Sequence, residues 1–365
     1  MSERVVACLS GGVDSSVAAA LLVEQGHEVI GVFMRSGVSG HALGERQGCC
    51  SVEDALDARR VADRLGIPFY PLDMAEAFDR LIARFVGDYA EGLTPNPCVL
   101  CNRWLKFGHV LAFARKLGAT RVASGHYARV VAAGGRFSLA RPRDRRKDQS
   151  YVLSVLEQEQ LAALTLPLGE LTKDEVRAEA ARRGLGRVAD KRDSQEICFV
   201  AGDYRDLLRE RLPPDAPALA PGEVQDPDGQ VVGRHEGVAG FTLGQRKGAG
   251  VALGYPAYVQ RTDVGRRLVV LGPREGTLRR RAVAGEVTWL AAAPPAPGER
   301  LELTGRAQLR AHGRGHPARV VARGPDEVEV ELVDPVAAVT PGQALALYDD
   351  ADERVLLSAW IREAS

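Results

Sequence analysis

Residues 4–24 read RVVACLSGGVDSSVAAALLVE, and the rest of the chain is interpreted outward from them. Five apolar residues, Val5 to Leu9, run directly into Ser10-Gly11-Gly12-Val13-Asp14-Ser15-Ser16, and an Ala/Leu/Val-rich segment continues to Val23. The apolar run is too short for a helix and suits a strand buried on both faces. The segment after the loop contains strong helix formers and no breaker before Gly26. The unit is strand, Gly/Ser loop, helix. Such a turn offers backbone N–H groups and the positive end of a helix dipole to whatever lies in front of it. Gly11 and Gly12 permit close approach and positive φ, and Ser10, Ser15 and Ser16 add hydroxyl groups. Phosphate or pyrophosphate is the guest this chemistry suits; the plain alternative is a tight turn of small residues. Without Gly-Lys-Ser/Thr it is not a Walker A loop, and without G-x-G-x-x-G it is not a dinucleotide fingerprint.

SGGVDSS resembles the PP-loop of the ATP pyrophosphatase superfamily, which splits ATP between the α- and β-phosphates and attaches AMP to a substrate oxygen. By itself the motif leaves GMP synthetases, argininosuccinate synthetases and tRNA sulfur transferases open.

The chain of 365 residues has room for two or three domains, and 45% hydrophobic with 26% charged residues is ordinary for a globular protein. The longest apolar run is far short of a membrane span, and the start MSERVV lacks the layout of a signal peptide, so a cytoplasmic protein with no membrane partner is expected. Lys+Arg and Asp+Glu both number 48. Zero net charge leaves a nucleic-acid partner open, because local patches carry such binding. RPRDRRK at 141–147, REGTLRRR at 274–281, and Arg306, Arg310 and Arg314 are candidate patches, with a solvated charged face as the alternative reading of each.

Along the chain, residues 28–34, 67–72 and 121–124 read as strands, and 53–65, 75–91, 99–117, 148–160 and 172–183 as helices. The last opens with a Thr172-x-x-Glu175 capping box. Residues 35–50 read as a long, mobile loop beside the nucleotide site. Alternation at this spacing predicts a doubly wound, mostly parallel α/β sheet with ligands at the carboxyl ends of its strands. The Gly/Ser loop and Ser124-Gly125-His126 should then face one crevice. The character changes near residue 200. A Pro-rich linker (212–221), a DPDG turn (226–229), a compact basic segment FTLGQRKG (241–248) and alternating strands near 327–332, 344–347 and 355–361 predict a central β-rich region and a C-terminal β-barrel. The expected division is 1–205, 206–279 and 280–365.

Six cysteines are present: Cys8, Cys49, Cys50, Cys98, Cys101 and Cys198. Cys8 reads as a small core residue. Cys98-Val99-Leu100-Cys101 follows Asn96-Pro97 at a predicted helix start, a position that favours thiolate. A structural zinc site and two unrelated buried cysteines are the bland readings, and zinc ordinarily wants a fourth ligand. Cys49 and Cys50 are left unassigned.

SGGVDSS, TPNPCVLCNRWLKF (94–107), SGHYAR (124–129), KDQSY (147–151), DSQEICF (193–199), FTLGQRKG and PVAAVTPGQ (335–343) occur in that order. Together they resemble the tRNA-specific 2-thiouridylase family (the MnmA type) over nearly the whole chain. The resemblance implies an adenine nucleotide alpha hydrolase-like PP-loop domain followed by a small mixed domain and a β-barrel. It implies Cys101 as nucleophile and Cys198 as persulfide carrier, a pair able to close a disulfide. Cys8, Leu9, Ser10, Gly11, Gly12, Val13, Asp14, Ser15, Met34 and Gly125 match ATP contacts. Asn96, Pro97 and Cys98 match the segment that meets the target base. His126, Lys147, Asp148, Gln149, Arg310, Ala311 and Gln343 match tRNA contacts. Many members carry Asp where this chain has Cys98, so a third thiol replaces a carboxylate here.

The expected reaction is 2-thiolation of the wobble uridine of tRNAs for Lys, Glu and Gln. Uridine O2 is adenylated by ATP with Mg²⁺, for which Asp14 is the candidate ligand or water holder, and sulfur arrives from a persulfide donor, a cysteine desulfurase or relay protein. The third thiol keeps a second version open: Cys98, Cys101 and Cys198 ligating a [4Fe–4S] cluster whose open iron binds hydrosulfide. A different PP-loop synthetase and a non-catalytic RNA-binding protein are the rival functions.

Overall fold

The computed structural model describes residues 2–37, 52–186, 197–200 and 202–365. The opening stretch forms strand β1 (Arg4–Cys8) and helix α1 (Val13–Glu24). Then follow β2 (Glu28–Arg35), α2 (Val52–Leu65), β3 (Phe69–Asp73), α3 (Ala75–Ala90), α4 (Pro97–Cys101), α5 (Val110–Lys116) and β4 (Arg121–Ala123). A hairpin, β5 (Arg129–Ala133) and β6 (Arg136–Ala140), leads to α6 (Ser150–Leu153), α7 (Gln158–Ala163), β7 (Leu164–Thr165), α8 (Lys173–Arg182) and α9 (Tyr204–Arg211). Strands β3-β2-β1-β4-β7 make one parallel sheet. Val5, Val6 and Ala7 are buried on both faces of it, which is why the run is unbroken rather than alternating. The order reverses direction between β1 and β4, so the crevice at their carboxyl ends is the switch point where α/β sheets bind ligands.

Two helices differ from their sequence pattern. The helix expected over 99–117 is α4 and α5 joined by a π-helical segment, Asn102–His109. A Cβ at Gly108 would lie 2.9 Å from the carbonyl oxygen of Arg103, five residues back, so glycine admits the wide turn. The helix expected over 148–160 is broken into α6 and α7. Ser154 spends its hydroxyl on the Tyr151 carbonyl, and Glu157 with Gln160 builds a capping box that starts the chain again. The Thr172/Glu175 capping box forms as read. The β5–β6 hairpin and α9 were not legible in the pattern. Residues 38–51, most of the loop expected over 35–50, lie outside the described residues together with Cys49 and Cys50.

A second sheet, ordered β10-β11-β8-β9, is built from β8 (Gly222–Gln225), β9 (Val231–His235), β10 (Tyr258–Asp263) and β11 (Leu268–Gly272). The last strands, β12 (Leu278–Trp289), β13 (Leu301–Gln308), β14 (His316–Ala322), β15 (Glu327–Ala337), β16 (Ala344–Tyr348) and β17 (Val355–Ala364), close a barrel in the order β12-β15-β14-β13-β16-β17. Val328, Val330 and Leu332 fill its interior while Glu327, Glu329 and Glu331 face out, the period-2 pattern of a half-buried strand. The barrel and the parallel sheet share one core, in which Val6, Val122, Leu139 and Tyr151 pack with Ala344, Ala346, Tyr348 and Val355.

Candidate active site

The crevice is built from the loop after β1. Gly11 has φ +73°, and a Cβ there would lie 2.4 Å from the Asp54 carbonyl oxygen. Only glycine lets α2 close against the loop. Gly12 is extended (φ −100°), and a Cβ there would meet nothing nearer than Ser10 Oγ at 3.5 Å. Gly11 thus serves the fold, whereas a side chain at Gly12 would make only an ordinary contact with Ser10. The loop hydroxyls are partly engaged internally. Ser15 Oγ and Ser16 Oγ both donate to the Gly12 carbonyl (3.1 and 2.8 Å), and Ser15 Oγ accepts from Ser10 N–H at 3.1 Å. What the loop offers an anion is chiefly its backbone N–H groups and the dipole of α1. Leu9, Val13 and Ser15 are buried, Met34 and Gly12 are half-buried, and Ser10 is exposed.

The segment after β4 packs directly on this loop. A Cβ at Gly125 would lie 2.6 Å from Asp14 C and Ser15 N. Tyr127 OH donates to Asp14 Oδ1 at 2.8 Å, and the Lys173 ammonium donates to both Asp14 oxygens at 2.8 and 2.7 Å. Asp14, read as a Mg²⁺ ligand, is therefore a carboxylate clamped by two donors from other elements. Neither Lys173 nor Tyr127 was singled out from the sequence. The signal for Lys173 was its place: a lysine in the first turn of a helix opposes the dipole and implies a carboxylate partner.

His126 is buried, and its Nδ1 lies 2.8 Å from Ser124 Oγ. Burial, with the Lys106 charge nearby, pushes its pKa well below the usual histidine range. It is a neutral hydrogen-bonding group at pH 7 rather than a cation for phosphate. Burial likewise pushes the Cys8 thiol up to about 12, opposed by Lys106 and reinforced by Cys101. Cys8 is thus an inert thiol. Lys106, inside a quoted motif but given no role, stands where it is felt by both Cys8 and His126.

Asn96 occupies the N-cap position of α4 without a side-chain cap bond, Pro97 lies in its first turn, Cys98 is exposed and Cys101 is buried. Cys101 and Cys198 border the same apolar cluster with Phe85, Leu105 and Phe199. Among the described residues, no disulfide joins Cys8, Cys98, Cys101 or Cys198. Among the described residues no group of three or more His, Cys, Asp or Glu side chains is placed to hold a metal ion. Asp193 to Glu196 lie outside the described residues.

The residues matched to tRNA contacts divide into two kinds. Asp148 accepts from the buried Arg141 and from Ser150 N–H and Oγ. Gln149 Oε1 accepts from Tyr127 N–H at 2.9 Å. Gln343 Nε2 donates to the Thr94 carbonyl at 2.7 Å, and Thr94 N–H to the Pro341 carbonyl at 3.0 Å, so the barrel grips the loop that leads to Cys98. The carbonyls of Arg310 and Ala311 accept from Gln308 Nε2. Lys147 is half-buried and Arg310 is exposed. In the 141–147 patch Arg141 is buried, whereas Arg143, Arg145 and Arg146 are exposed. Arg141 is 7% exposed, stacks on Tyr348 and pairs with Asp148 and Asp352, while Arg143 and Arg145 pair with Glu175 and Glu353. Among the described residues no helix is long and apolar enough to cross a membrane.

Three family models match the chain: a tRNA methyl transferase HUP domain over residues 3–202, a tRNA methyl transferase PRC-barrel domain over 206–273, and an aminomethyltransferase beta-barrel domain over 279–361. Curated relatives align end to end. The chain is 45% identical to the tRNA-specific 2-thiouridylase MnmA of Rhodopirellula baltica, covering 99% of this chain and 97% of that protein. It is 48% identical to that of Acidothermus cellulolyticus and 47% identical to that of a Nocardioides species, each over 98% of this chain and 97% of the relative.

Proposed function

The chain belongs to the tRNA-specific 2-thiouridylase family, and from that premise we propose that it thiolates C2 of the wobble uridine in tRNAs for Lys, Glu and Gln through a cysteine persulfide. Uridine O2 attacks the α-phosphorus of ATP and pyrophosphate leaves toward the loop after β1. Mg²⁺ travels with ATP as part of the substrate. Adenylation makes O2 a good leaving group. Cys198 carries the sulfane sulfur. The Cys101 thiolate attacks Cys198 Sγ, closing a disulfide and releasing hydrosulfide, which adds to C2 as AMP departs. A thiol reductant then reopens the disulfide. The target base must leave the anticodon stack to reach this crevice. Asn96, Pro97 and Cys98 would meet it, with Lys147, Arg310 and Gln343 toward the RNA.

One observation carries this reading. Met34, on β2, packs both against the apolar cluster that Cys8 borders, at the end of the strand that feeds the phosphate loop, and against the cluster that contains Cys101. This supports a site in which the nucleophile and the nucleotide loop share one crevice. The methyl-transferase wording of the family models carries no weight against this, because a phosphate loop beside a thiol suits adenylation and sulfur transfer. A cluster-borne hydrosulfide would need Cys98, Cys101 and Cys198 as three ligands, whereas the persulfide route needs only Cys101 and Cys198, which border one apolar cluster.

The test is aerobic, iron-free protein given tRNA, Mg·ATP, a persulfide donor and a thiol reductant, with nucleosides read by mass spectrometry. Multiple turnovers to 2-thiouridine, lost in Cys101→Ser and Cys198→Ser, are expected. Activity that appears only with iron and vanishes in Cys98→Asp would overturn the persulfide route, and a tRNA product without sulfur would overturn thiolation itself.

A further inference from the structure

Asp14 poses an electrostatic problem. It occupies the first turn of α1, where the loop should attract a polyphosphate, yet it brings a negative charge there. Its side chain is 30% exposed, whereas that of Lys173 is only 8% exposed. The ammonium bonds both Asp14 oxygens, and Tyr127 OH bonds one of them. Lys173 is itself held in place. Its backbone N–H donates to Asp144 Oδ2 at 3.0 Å, and its helix is started by the Thr172/Glu175 capping box. Two elements remote in sequence, 124–129 and 172–175, converge on one carboxylate of the loop.

We propose that Lys173 is a positioning residue for ATP, acting through Asp14. It fixes the carboxylate and cancels its charge, so that the first turn of α1 presents N–H groups to the phosphates without a competing anion. Tyr127 sets the rotamer of the same carboxylate. Removing Lys173 leaves an uncompensated anion at the phosphate site, and like charge close to like charge in a partly desolvated crevice weakens binding. This rests on the reading that the loop binds ATP.

The test measures Mg·ATP and Mg·pyrophosphate affinity by calorimetry on the full chain, with thermal unfolding alongside. Lys173→Met should raise Kd at least tenfold, and Lys173→Arg should stay within threefold of wild type. Adding Asp14→Asn to Lys173→Met removes the orphaned charge, so the double variant should return to within threefold of Asp14→Asn alone. A role in folding alone would not produce that rescue. Lys173→Met binding within twofold of wild type would overturn the inference, as would a double variant as weak as Lys173→Met. If wild type itself fails to bind Mg·ATP, it is the functional reading that falls.

Discussion

Gly11 and Gly12 are adjacent, yet the structure assigns them opposite consequences when each is replaced by alanine. At Gly12 the backbone is extended and the nearest atom to a new methyl is Ser10 Oγ at 3.5 Å. Folding should therefore change by under about 0.5 kcal/mol, the range of an unconstrained surface change. The same methyl points into the open side of the loop and blocks one charge-assisted N–H contact to phosphate, worth about 1.5–3 kcal/mol. Kd for Mg·ATP should rise roughly 10- to 100-fold. At Gly11 the methyl meets the Asp54 backbone at 2.4 Å with φ at +73°. A left-handed non-glycine residue costs about 1–2 kcal/mol and overpacking about 1–3, so the sum is roughly 2–5 kcal/mol. That lowers Tm by roughly 4–20 °C in a domain of this size. Calorimetric ATP titration and thermal unfolding of both variants check this together. Gly12→Ala with unchanged Kd would refute the assignment of the loop's open side to phosphate. Gly11→Ala with unchanged Tm would refute the packing of α2 on the loop.

Four further outcomes follow from the geometry. Affinity for tRNA should fall steeply with salt, and Lys147→Ala should lower the log–log slope by about 1 while sparing ATP affinity; a flat salt profile would contradict phosphate contacts. In brief iodoacetamide labelling read by peptide mass spectrometry, exposed Cys98 should be modified well before buried Cys101, and the reverse order would contradict the burial found here. Gly342→Ala, whose Cβ would fall 2.9 Å from Thr94 N at φ +90°, should impair thiolation more than ATP binding, because it pries the barrel from the cysteine loop. His126 is held neutral below its ordinary pKa, so its stabilising contribution is present above about pH 6.5 and is lost as pH falls below it. Denaturant titrations of His126→Asn from pH 6.5 to 5 should show a shallower loss of stability than wild type, by up to about 1.4 kcal/mol per pH unit.

The local chemistry of the loop was legible because strand, glycines and helix formers are contiguous, and the apolar run at 5–9 could only be a doubly buried strand. The barrel was legible from Val328, Val330 and Leu332 alternating with glutamates. The clamp on Asp14 was not, since Tyr127 and Lys173 reach it across more than a hundred residues and no local period marks such a pair. Arg141 misled in the same way. Within RPRDRRK it reads as surface charge, and only the fold shows Tyr348 beneath it and Asp352 beside it. The π-helical turn was hidden because α- and π-helical segments use the same residues, and Gly108 alone hints at it.

The core shared by the parallel sheet and the barrel bears on how this protein can be divided. A chain stopped before residue 280 loses Ala344, Ala346, Tyr348 and Val355 from the wall against which Leu139 and Tyr151 pack. It also loses the carbonyl acceptor of Tyr151 OH and the hydroxyl partner of Ser150. What remains is a nucleotide-binding unit with a greasy, half-plumbed flank, prone to stick to itself rather than to work. Truncation series and domain transplants aimed at the sulfur chemistry therefore need to carry the barrel along, even where no RNA is present.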